Sequence, residues 1–66
     1  MQTEQDFNLV AKRYLNMVYR IALNWFGRIP DAEDAAQTVM LRLWKADAVP
    51  ADEDHLRHWL VRVTIN

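Results

Sequence analysis

Apolar residues recur at helical spacing through the first third of the chain: Phe7, Val10, Ala11, Tyr14, Met17, Val18, Ile21 and Trp25. At 100° per residue they fall within roughly 120° of one another, a stripe broad enough for a core. Leu15, Tyr19, Leu23 and Phe26 widen it on one side, while Arg13, Asn16, Arg20 and Asn24 hold the opposite face. Thr3 can cap the start, with Glu4 and Asp6 complementing the positive end of the helix dipole. Gly27 follows Phe26 as a left-handed stop, and Pro30 lies three residues further on. The pattern predicts a helix over about 3–26.

A second helix is predicted over about 31–46, opening at Asp31 as N-cap with Glu33 and Asp34 near its positive end. Ala32, Ala35, Ala36, Val39 and Leu43 make its core stripe, and the three alanines permit close helix–helix approach. On the far side Glu33, Asp34, Gln37, Leu41 and Trp44 cluster. A leucine and a tryptophan among carboxylates and an amide read in two ways. They form an exposed apolar area rimmed by polar groups, as interaction sites do, or they pack on a third helix.

The third helix, over about 53–66, follows Pro50 and the acidic stretch Asp52, Glu53 and Asp54, which can cap its start. Leu56, Leu60 and Val63 form one stripe; His55, His58, Trp59, Arg62 and Asn66 line a neighbouring face. With no alternation of strand type and no repeat, the fold class is all-α, a three-helix bundle in one small domain. The sequence ends at Asn66 inside this helix, which leads to the expectation of a truncated domain whose uncovered apolar surface favours self-association.

Composition narrows the function. Sixty-six residues bury a small core, so marginal stability is expected. Eight Lys and Arg against nine Asp and Glu give a formal charge of −1, unlike a generic basic nucleic-acid coat. The absence of cysteine excludes disulfides, Cys-based zinc fingers and thiol catalysis. No apolar run is long enough for a membrane span and the start does not read as a signal peptide, so a cytoplasmic protein is expected.

Constellations for catalysis are weak. His55 and His58, three apart and beside Asp52, Glu53 and Asp54, have the spacing of metal ligands, yet capping explains the carboxylates better. Asp31, Glu33 and Asp34 likewise read as first-turn capping rather than a magnesium site. No catalytic triad, P-loop or glycine-rich phosphate cradle is present, and neither an enzyme nor a cofactor is expected. Trp59, Arg62 and Asn66 supply a stacking ring, a guanidinium for phosphate and an amide for a base edge. The plain alternative is a buried Trp59 beside a solvated Arg62.

Three stretches in order resemble region 2 of bacterial RNA polymerase sigma factors of the extracytoplasmic-function group. Tyr19 to Leu23 is similar to the end of that group's long first helix. Asp31 to Lys45 nearly completes its AED-x-x-Q…LRLW pattern, and Trp59 to Asn66 matches WL-x-R-I/V-x-x-N. The likeness runs from about Phe7 to Asn66.

The resemblance implies a transcription initiation factor with two interaction faces. Asp34 and Gln37, with Leu41 and Trp44 as apolar neighbours, would dock on the clamp coiled coil of the polymerase β′ subunit. Thr38 departs from the group, which usually has a glutamate after the motif glutamine. Trp59, Arg62 and Asn66 would contribute to binding and melting the promoter −10 element, weakly or not at all in this stretch alone. An anti-sigma protein is a further implied partner. The rival reading is a helical adaptor or oligomerisation module with Leu41, Trp44, Val61 and Ile65 as its surface; a His and carboxylate metalloenzyme is a third.

Overall fold

The computed structural model describes residues 3–46 and 49–65. They form α1 (Glu4–Phe26), α2 (Ile29–Lys45) and α3 (Glu53–Ile65), with no strand among the described residues. The longest dimension, 32 Å, is close to the ~1.5 Å per residue that a 23-residue helix such as α1 requires. The pairing of α1 with α2 is the most extensive, and α3 touches both, α1 more than α2.

The caps of α1 follow the sequence. Thr3 Oγ1 accepts from the Asp6 amide at 3.1 Å and the Asp6 carboxylate accepts from the Thr3 amide at 3.4 Å, a reciprocal capping box. Gly27 ends the helix at φ 76°, where its amide donates to the Leu23 carbonyl at 2.8 Å. That backbone region is open to glycine and costly for a side chain carrying Cβ.

The start of α2 differs from the expectation. It begins at Ile29, with the extended residue Arg28 at the N-cap, and Pro30 lies inside the first turn. Proline suits that place because its fixed φ is already helical and its missing amide hydrogen would have had no helical acceptor. Asp31 is therefore a first-turn carboxylate rather than the cap. At α3, Asp52 caps as expected, its carboxylate accepting from the His55 amide at 3.1 Å.

Tyr14 and Val18 from α1, Ala36 and Val39 from α2, and Leu56 and Leu60 from α3 make the shared core. Ala22 and Ala32 are wholly buried, which lets the α1–α2 turn close tightly. Trp25, expected in the core stripe, is instead 62% exposed. It stands in the last turn of α1, where no following turn flanks the indole. On α3 the buried line is Leu56, Leu60 and Thr64, with Val63 half-buried. Thr64 can be buried because its hydroxyl donates to the Leu60 carbonyl at 2.6 Å.

Candidate functional site

The outward side of α2 is open. Glu33, Asp34, Gln37, Thr38, Leu41 and Trp44 are all exposed, and Leu41 (57%) and Trp44 (46%) keep much of their apolar area in solvent. Of the two ways to read this flank, packing on a third helix is excluded: α3 shares the core with Ala36 and Val39, and Leu41 and Trp44 stand outside that cluster.

Gln37, Leu41 and Trp44 form one wall of a groove of about 930 Å³ between α1 and α2. The facing wall belongs to α1 and includes Phe7, Asn8, Leu15, Asn16 and Tyr19, while Ala36 and Met40 also line the groove. At one end the Phe7 ring meets the Trp44 indole edge-on, with centroids 5.1 Å apart and planes at 75°. The groove is mainly apolar, and its charged lining residues are two carboxylates, Glu4 and Glu33. Asp34 is exposed but lies outside the groove lining, and its backbone carbonyl accepts from the Thr38 hydroxyl at 3.0 Å.

The α1 wall is what sequence reasoning missed. Phe7 looked like core, and Leu15 and Tyr19 like a mere widening of the core stripe. The usable signal was that widening: an apolar arc too broad for one neighbour leaves an edge for a second.

The second face lies on α3. Trp59 is half-buried against the core, and Arg62 is exposed on the turn that follows it. Asn66, the third residue expected there, lies outside the described residues. His55 and His58 are exposed, and His55 Nδ1 lies 3.5 Å from the Asp52 carboxylate that caps the helix. No group of three or more potential metal ligands occurs among the described residues. No helix among them is long and apolar enough to cross a membrane.

The chain is 34% identical over 61 residues to proteins named ECF RNA polymerase sigma factor SigG from two strains of Mycobacterium tuberculosis, CDC 1551 / Oshkosh and ATCC 25618 / H37Rv. The aligned stretch covers 92% of this chain and 16% of each relative, so the chain spans a small part of their length. No solved structure matches it. Residues 10–66, which include all of α2 and α3, match sigma-70 region 2, and the chain belongs to that family.

Proposed function

We propose that the chain acts as the region 2 part of an extracytoplasmic-function type transcription initiation factor, working in the cytoplasm beside the polymerase that it directs. Its α1–α2 groove receives the clamp coiled coil of the β′ subunit. The observation that supports this most is the solvent-facing Leu41 and Trp44 beside Gln37, in a chain of this family. An apolar floor hidden on contact supplies affinity, and a tryptophan at its end is a common hot spot. The carboxylates Glu4 and Glu33 at the groove, with Asp34 beyond it, suit a helix that carries basic and amide groups; such charges set register and partner choice. With Thr38 in place of the usual glutamate, one ionic contact of the group is absent and more of the docking falls to the apolar wall.

The α3 face then meets the non-template strand of the −10 element. Trp59 can present its free edge to an unstacked base, Arg62 can pair with phosphate, and Asn66 completes the motif. Bond-making chemistry belongs to the polymerase, and the chain itself supplies binding and orientation.

Calorimetric titration of an isolated clamp coiled-coil peptide into the chain tests the docking. Asp34→Ala combined with Gln37→Ala should weaken binding while leaving helicity intact. Equal affinity in the double variant would contradict the assignment of these residues, and no binding by the parent chain would favour the adaptor reading.

A further inference from the structure

The buried residues of α3 form a single line. Leu56, Leu60 and Thr64 lie four residues apart on this helix, the shortest of the three, and the half-buried Trp59 and Val63 pack on the core beside them. Apolar contact holds the helix close but is not itself directional. Side-chain hydrogen bonds join α3 to α1 at its start. Glu53, the first residue of α3, is exposed one turn before Leu56, and its Oε1 accepts from two consecutive residues of α1. Arg13 Nη2 donates at 2.6 Å and the Tyr14 hydroxyl at 3.2 Å.

These two donors differ in a useful way. Tyr14 is buried, so its hydroxyl is held by the core; Arg13 is exposed, and its guanidinium carbon sits 5.7 Å from the centroid of the Tyr14 ring. One carboxylate oxygen is therefore caught between a fixed donor and a charged one stacked against it. We propose that Glu53 is a positioning residue: it latches the start of α3 to α1 and so sets the attitude of the Trp59 and Arg62 face relative to the α2 groove. The latch itself stands on this geometry, whereas its meaning for polymerase and promoter rests on the proposed function.

The test uses the whole chain in solution, with residual dipolar couplings reporting the direction of α3 against α1 and α2, and amide exchange reporting its hold. Glu53→Ala should reorient α3 and speed exchange along residues 56–65 by about fivefold, the size expected from one partly exposed ionic cluster. Arg13→Met, which keeps the apolar stem at an exposed position, should act in the same direction to a smaller extent. It also serves where Glu53→Ala does not fold. The exchanged pair Arg13→Glu with Glu53→Arg should recover part of the parent orientation. Parent-like couplings and exchange in Glu53→Ala, or in Arg13→Met if only that variant folds, would overturn the latch. Binding of the clamp peptide, measured on the same samples, judges the proposed function separately: a parent chain that fails to bind refutes that reading alone.

Discussion

Phe7, in the first turns of α1, meets Trp44, in the last turn of α2, edge to face at 5.1 Å. Both rings line the groove, so one contact ties α1 to α2 beside it and holds the indole in place. Edge-on aromatic pairs contribute about 0.5–1.5 kcal/mol beyond the area that they hide. Phe7→Leu keeps apolar bulk and removes the ring. It should lower the melting temperature by about 4–8 °C per kcal/mol lost, read by circular dichroism. It should also weaken clamp-peptide binding, because the indole is no longer held in place.

Gly27 gives a test of the turn between α1 and α2. A Cβ built there meets nothing within 4 Å, so substitution costs conformation and not collision. Gly27→Ala should destabilise the chain by about 1 kcal/mol through its positive φ. Gly27→Asn, better suited to the left-handed region, should cost less; equal melting of all three chains would contradict this account of the turn.

The two leucines Leu60 and Leu41 should behave oppositely. Leu60 is fully buried and Leu41 is 57% exposed. Leu60→Ala should cost about 2–5 kcal/mol, enough to unfold much of so small a domain. Leu41→Ala should leave thermal melting almost unchanged and lower partner affinity. Denaturant titration beside peptide binding separates the two effects.

Much of this was legible in the sequence. Helical spacing gave three helices, and the wheel of α2 separated its core stripe, buried at Ala32, Ala36, Val39 and Leu43 and half-buried at Ala35, from the flank of Leu41 and Trp44, because those two faces differ sharply in composition. The Thr3 and Gly27 caps were legible because each has one local physical cause. Local pattern failed where a position depends on helix ends or on distant neighbours. Trp25 has core periodicity but stands in a terminal turn, and Pro30 reads as a breaker until it is seen to occupy the first turn. Phe7 fits a core stripe until α2 returns alongside it. The bond of Glu53 to Arg13 and Tyr14, across about forty positions of sequence, leaves no periodic trace.

Ionic strength gives a further check. The groove carries Glu4 and Glu33, with Asp34 nearby, so a basic partner should bind more weakly as salt rises. The apolar floor should preserve part of the affinity at high salt. Affinity that rises steadily with salt would identify an uncharged, purely apolar occupant instead.

The most direct measurement is an amide and indole NMR titration of the isotope-labelled chain with the isolated clamp coiled-coil peptide. The expected shifts centre on Gln37, Leu41 and the Trp44 indole, and extend across the groove to Asn8, Leu15 and Tyr19, with Leu56 and Leu60 little affected. Shifts confined to α3, or none at saturating peptide, would contradict the assignment of the α1–α2 groove as the docking site.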